Sequence, residues 1–284
     1  MGKQLSDHTN RIGRCGVGLN AALENERSMS RRSATPSHGS TSDVYGPAMG
    51  AVPRTLDEIN AVWLGDQLAL SITSIEVDEI GAGEGFMGQL ARVRLESPDA
   101  GAPTSVIVKL PTSDPGGLFI GEMMRVWERE HCFYRDVAPH MEIRIPVALV
   151  NLADPPCLVL EDLAPAVVGD HVAGATLSQA ERSMDALALH HATWFEHPLL
   201  PTLDWMPGLD DPSILTLGDT FAMGWPLFLE RFADELPDRC LRWCERFVEG
   251  IPAWIEGHYD EPVTLTHGDF RLDNLFFADD GSVA

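Results

Sequence analysis

An α+β fold is predicted for this chain, with a sheet-rich first half and a helix-rich second half, and three features of the sequence predict it. Runs of period two, separated by turn residues, recur between Ser71 and Leu163. Beyond Asp162 the apolar spacing changes to that of amphipathic helices. No segment repeats another, so the change of texture points to two parts of one architecture rather than an array. At 284 residues, 44% hydrophobic and 22% charged, the chain is long enough to bury a full core as one large domain or as two lobes.

Residues 1 to 50 are rich in Ser, Gly, Arg and Asn and hold no lasting period, so a disordered extension is expected there, with Met29 and Met49 as alternative starts. Thr55-Leu56-Asp57-Glu58 reads as a capping box opening a helix to about Leu70, with Ile59, Val62, Trp63 and Leu70 near one face. Strands follow at Ser71 to Ile80, at Leu90 to Glu96 and at Ser105 to Leu110, the second with Ala91, Val93 and Leu95 on one face. The stretch from Leu118 to Val137 has helical spacing, and Ile143 to Val150 and Pro156 to Leu163 read as two more strands. Together these give a mostly antiparallel sheet with one long inserted helix. Ser178-Gln179-Ala180-Glu181 is a second capping box, opening a helix to about Phe195 that buries Met184, Leu187, Ala188, His191, Trp194 and Phe195. Helices near Pro226 to Leu236 and Asp238 to Glu256 complete the second half.

The formal charge is −23, and the first fifty residues run against it with a balance of +2, which leaves −25 on the remainder. Such a field repels polyphosphate backbones and anionic membranes, so nucleic acid is not an expected partner. Five cysteines, Cys15, Cys132, Cys157, Cys240 and Cys244, are odd in number and scattered, which argues for a reducing compartment over a disulfide framework. Cys240 and Cys244 are read as buried small hydrophobes. No stretch approaches the length of a membrane span and none has the form of a signal sequence, so a cytoplasmic location is expected.

Three motifs carry chemistry. Gly83-x-Gly85-x-x-Gly88 lies between two period-two runs, so it reads as a hairpin tip rather than the strand-glycine-helix turn of a dinucleotide fold, and a plain hairpin turn fits it about equally well. Lys109 stands inside the apolar run Val106-Ile107-Val108-Lys109-Leu110; the chain's only other lysine is Lys3, so arginine is the default surface cation and Lys109 is an exception. A compact ammonium suits phosphate oxygens as a point charge. Last comes Thr264-Leu265-Thr266-His267-Gly268-Asp269-Phe270-Arg271-Leu272-Asp273-Asn274-Leu275-Phe276-Phe277, where a polar turn between two apolar runs sets Asp269 and Asn274 toward one pocket. An acceptor base and a metal-ligating amide on one turn is what phosphoryl transfer needs. The pair His190-His191 beside Trp194 is read as packing, because adjacent histidines face different sides of a helix.

The spacing of Asp269 and Asn274 is that of the protein kinase catalytic loop, and His267-Gly268-Asp269 resembles the aminoglycoside phosphotransferase, choline kinase and ecdysteroid kinase-like branch of that superfamily. The likeness spans roughly residues 50 to 284, with the last loop its most specific part. It implies a two-lobed protein kinase-like fold: an ATP-binding lobe over 51–161 and a helical lobe over 162–284. It implies ATP and Mg²⁺, with Gly83, Gly85 and Gly88 over the phosphates and Lys109 on them. Of Glu122 and Glu130, the latter, in Glu130-x-x-Phe133-Tyr134, is the glutamate expected to hold Lys109. Leu158 to Leu163 resembles the hinge, with Glu161 and Leu163 as its neighbours to adenine. Asp269 would receive or orient the substrate hydroxyl, Asn274 would bind Mg²⁺, His267 would brace the loop and Arg271 would reach the transferring group. The acceptor would be a small-molecule alcohol. The resemblance also implies a second metal-binding aspartate roughly a dozen residues after Asn274. The chain stops at Ala284, and Asp279-Asp280-Gly281 reads as a hairpin turn instead, so the expectation is an incomplete helical lobe with little activity, or a nucleotide-binding protein without catalysis.

Overall fold

The computed structural model describes residues 50–81, 88–209, 211–258 and 262–284; residues 1–49, on which the expected extension falls, lie outside them, as do Gly83 and Gly85. The described chain is mixed α+β, with a five-stranded antiparallel sheet in its first half and helices in its second.

Helix α1, Ala61–Leu68, is capped by Asn60, whose side chain accepts from the Trp63 N–H at 3.0 Å. The expected box at Thr55 does not form. Leu56–Glu58 is a single 3-10 turn, and the Glu58 carboxylate takes the Arg54 N–H at 2.7 Å instead of closing a box on Thr55. Strands β1, Ser74–Glu79, β2, Gly88–Glu96, and β3, Ser105–Pro111, follow as a meander with Val77 opposite Val93 and Val93 opposite Val106. Alternation puts Ala91, Val93 and Leu95 of β2 and Val106, Val108 and Leu110 of β3 on one face, where Trp63 and Leu64 of α1 close the core. Lys109 therefore projects from the opposite face.

The single helix expected over 118–137 is broken. Helix α2, Pro115–Met123, starts with proline at its first position and Asp114 accepting from the Gly117 N–H at 2.7 Å. Arg125 then turns left-handed with φ of 53°, and α3, Val126–Cys132, leads into a π-helical turn over Phe133–Val137. The break folds the Trp127 indole back onto Gly121, where a Cβ would lie 2.4 Å from the ring. Strand β4, Ala148–Ala153, begins later than expected and β5, Pro156–Glu161, ends earlier. The sheet order is β1-β2-β3-β5-β4, so β5 lies between β3 and β4 and is buried along its length at Cys157, Leu158, Val159 and Leu160.

The short strand β6, Val167–Val168, leads to α4, Leu177–Trp194. Its capping box is Thr176 with Gln179, whose reciprocal bonds measure 3.2 and 2.9 Å, and not the box expected at Ser178. The buried residues of α4 are Ser183, His190 and Trp194; Met184, Ala188 and Phe195, expected inside, are exposed, because the helix packs through Ala186 on Leu275 and Phe277 and through Trp194 on Leu265. The short α5, Pro212–Leu215, precedes α6, Leu217–Phe232, which runs through Pro226 where the sequence suggested a start. Helix α7, Asp238–Glu256, packs against α6. Cys132 and Cys157 are buried, and burial pushes the Cys157 thiol up to about 12; Cys240 and Cys244, expected as buried, are only half-buried on α7. Strand β7, Phe276–Phe277, pairs antiparallel with β6 and, through Phe277, with Val283. The expected turn at Asp279-Asp280-Gly281 is present, closed by the Ala278 N–H to Ser282 and by mutual bonds of Phe276 and Ala284. No described helix is long and apolar enough to cross a membrane.

Candidate functional site

The site residues fall into two groups. The first is on the sheet. Lys109 sits opposite Leu90 on β2 and Leu158 on β5, so neighbours on both sides fix its backbone. Its Nζ lies 2.6 Å from Glu130 Oε1 on α3, and both side chains keep partial access to solvent. Of the two glutamates weighed for this role, Glu130 is the one that reaches. Gly88 starts β2 beside them: a Cβ there would lie 3.4 Å from the Leu110 carbonyl and 3.7 Å from Lys109 Cε.

At the end of β5, the Glu161 carboxylate bonds to Arg144 and to the Val147 N–H, and its own N–H goes to the Val147 carbonyl at 2.8 Å. The Leu163 carbonyl accepts from Ala166 at 2.9 Å, while its N–H has no backbone partner among the described residues. Asp162, between these two, is a brace. Its carboxylate takes Arg92 Nε at 2.7 Å, Ser105 Oγ at 2.7 Å and the Ala164 N–H at 3.1 Å, with a side chain only 5% exposed. Burial alone would raise its pKa, but these bonds outweigh it and the net direction is down. The signal for this brace was the arginine on the polar face of β2, which the alternation displayed without naming its partner.

The second group is the loop. Gly268 is left-handed with φ of 79°, a conformation glycine adopts freely, and it turns the chain between His267 and Asp269. The Asp269 N–H donates to His267 Nδ1 at 3.3 Å, so His267 braces the turn as a neutral ring protonated at Nε2. Desolvation holds its pKa below 6.5, partly offset by Asp269. Both N–H groups of Asn274 turn inward, to the Asp269 carbonyl at 2.9 Å and to Asp269 Oδ2 at 2.8 Å. Arg271 Nε stands 3.3 Å from the same Oδ2, and its other arm meets Asp273 at 3.2 Å. Asp269 Oδ1 and Asn274 Oδ1 are left without partners among the described residues.

Tertiary anchors aim this loop, and sequence reasoning did not find them. Thr264 Oγ1 donates to the His191 carbonyl at 2.9 Å and the Glu196 N–H to Val263 at 2.8 Å, tying the loop's approach to the end of α4. Gly169, just after β6, donates to the Leu275 carbonyl at 2.9 Å. His190 lies buried below, its pKa lowered first by desolvation and then by His191 and His267. The strand ribbon β6–β7 thus connects the loop to the segment leaving β5, while no direct contact joins Lys109 to Asp269 among the described residues.

The free Asn274 oxygen is a hard ligand of the kind Mg²⁺ takes, and it faces away from the amide's own hydrogen bonds, so the residues present fit that ion. Among the described residues no three His, Cys, Asp or Glu side chains converge as a metal cage. No protein-family model and no curated protein sequence matches the chain.

Proposed function

We propose that this chain is an ATP- and Mg²⁺-dependent phosphotransferase of two-lobed protein kinase-like fold, which moves the γ-phosphoryl group of ATP to a hydroxyl of a small-molecule alcohol. The observation that carries this reading is the Lys109–Glu130 pair: a strand lysine and a helix glutamate, coupled on motif alone, meet at 2.6 Å. An ammonium held by one carboxylate keeps donors available for phosphate oxygens. The loop supplies the other half of the chemistry. Asp269 Oδ1 accepts the substrate hydroxyl proton as the new O–P bond forms and the bond from the γ-phosphorus to the departing ADP oxygen breaks. Asn274 holds Mg²⁺ through Oδ1, and the ion, when bound, offsets charge on the phosphate oxygens. Arg271 stands two residues from Asp269, where release from Asp273 would let it meet the transferred group. Hinge contacts to adenine fall to backbone groups near Glu161 and Leu163, and Gly88, beside Lys109, is the described member of the glycine motif that would face the phosphates.

A second reading, nucleotide binding without transfer, draws on one observation: Arg271 and Asn274 both engage Asp269 Oδ2, so half of the proposed base is already in use. Titration with MgATP, followed by a phosphate-transfer assay over amino-alcohol, sugar and sterol acceptors, separates the two. Binding with transfer supports the first and binding alone the second; absence of binding defeats both.

A further inference from the structure

Glu130 meets Lys109 only while α3 keeps its place on the sheet, and apolar packing does not hold it there alone. Beneath the ion pair, Trp127, His131, Leu152, Cys157 and Leu158 line a cavity of about 10 Å³, room for about one water molecule. A seam with such a gap forfeits dispersion contacts on one side. Helix α3 is also short, and its hydrogen-bond spacing widens from Phe133 onward, so the His131 carbonyl lies at the changeover rather than inside a regular ladder.

Two bonds cross the seam at this point. Asn151 of β4 donates from Nδ2 to the His131 carbonyl at 3.0 Å, and its Oδ1 lies 2.7 Å from His131 Nδ1. Because the carbonyl fixes which end of the amide is the donor, Oδ1 must accept and the ring carries its proton on Nδ1. One side chain therefore grips both the main chain and the ring of the residue next to Glu130. We propose that Asn151 is a positioning residue that acts through His131 to hold α3 and keep Glu130 on Lys109. Leucine at this place offers neither bond, and aspartate would set an oxygen against the carbonyl oxygen. What the lock does for ATP rests on the phosphotransfer reading; the lock itself does not.

Lysine chemistry reads it directly, because Lys3 and Lys109 are the only lysines. An amine held in a 2.6 Å bond to a carboxylate must leave it to react. The full chain and its variants are pulse-labelled with a succinimidyl ester, and labelling at Lys109 is measured by peptide mass spectrometry relative to Lys3. Glu130→Gln is expected to raise Lys109 labelling by roughly fivefold, as for loss of a partly exposed ion pair. Asn151→Leu should rise most of the way to that level, with Asn151→Asp and His131→Phe between. Val93→Ala, a core truncation on the far face of the sheet, should lower the melting temperature without raising labelling. If Asn151→Leu does not fold, the aspartate and phenylalanine variants decide. Wild-type labelling in the Asn151 and His131 variants, no rise in Glu130→Gln, or an equal rise in Val93→Ala would each overturn the lock. Protection of Lys109 by MgATP is scored separately: its absence counts against the phosphotransfer reading and leaves the labelling result intact.

Discussion

Lys109 and Asp269 are both charged groups that the proposed reaction would use, yet they are held in different ways. Lys109 projects from a strand paired on both sides, and its carboxylate partner comes from a helix distant in the chain. Asp269 is 65% exposed and stands on a turn whose bonds come from His267, Arg271 and Asn274, all within the same loop. The first is positioned by long-range architecture, the second by local bonds and a few anchors to α4 and β6. Charge in the sheet half should therefore carry stability as well as binding, and charge in the loop chemistry alone.

The sharpest break in that comparison is Asp269→Ala. Turnover on any alcohol the chain phosphorylates should fall by about 10² to 10⁴, while stability moves by no more than about 0.5 kcal/mol. Urea melts alongside initial rates check both halves, and unchanged turnover would remove Asp269 from the mechanism. Next in size is Asp162→Ala, which leaves Arg92 and Ser105 without their acceptor; equilibrium unfolding should lose about 2 to 4 kcal/mol. A loss as small as that of Asp269→Ala would erase the distinction drawn here. Lys109→Ala should weaken ATP by tenfold or more, about 1.4 kcal/mol, and leave adenosine nearly unchanged, since only ATP presents phosphate charge to the ammonium. Calorimetric titration with both ligands tests it, and equal losses would detach Lys109 from the phosphates.

The smallest effect lies under the loop. His190 and His267 both have folded pKa values below 6.5, chiefly through desolvation. The unfolded chain thus takes up protons first as pH falls, so their stabilisation is complete above 6.5 and is lost from there down to the lowered folded values. Melting temperature should decline on acidification through that window, and His190→Phe should flatten part of the decline. A profile unchanged by His190→Phe would mean that the buried ring is not the proton-linked group.

The legible parts of the sequence were those where one residue type or one period admits few alternatives. Alternation through Ala91, Val93 and Leu95 placed a strand because a half-buried pleat requires it. Lys109 stood out against an arginine-rich background, and the turn holding Asp269 and Asn274 was compact enough to read from spacing. Helix starts were less legible. Thr55 and Ser178 both have the pattern of a capping box, but Asn60 and Thr176 do the capping, since a local pattern offers several side-chain acceptors and tertiary packing selects one. The break at Arg125 was hidden for a similar reason: it depends on Trp127 finding room over Gly121, a contact that helical periodicity does not encode. Asp162, Thr264 and Asn151 escaped notice because each acts on a partner far along the chain.

Gly169 sets a condition on moving this loop to another scaffold. A Cβ there would come within 2.6 Å of the Leu272 carbonyl oxygen, so the approach is main chain against main chain. A transplant of residues 264–277 would carry its internal bonds with it. Its aim would survive only if the recipient presented a bare stretch of backbone opposite Leu272, a requirement of shape that no grafted side chain can supply.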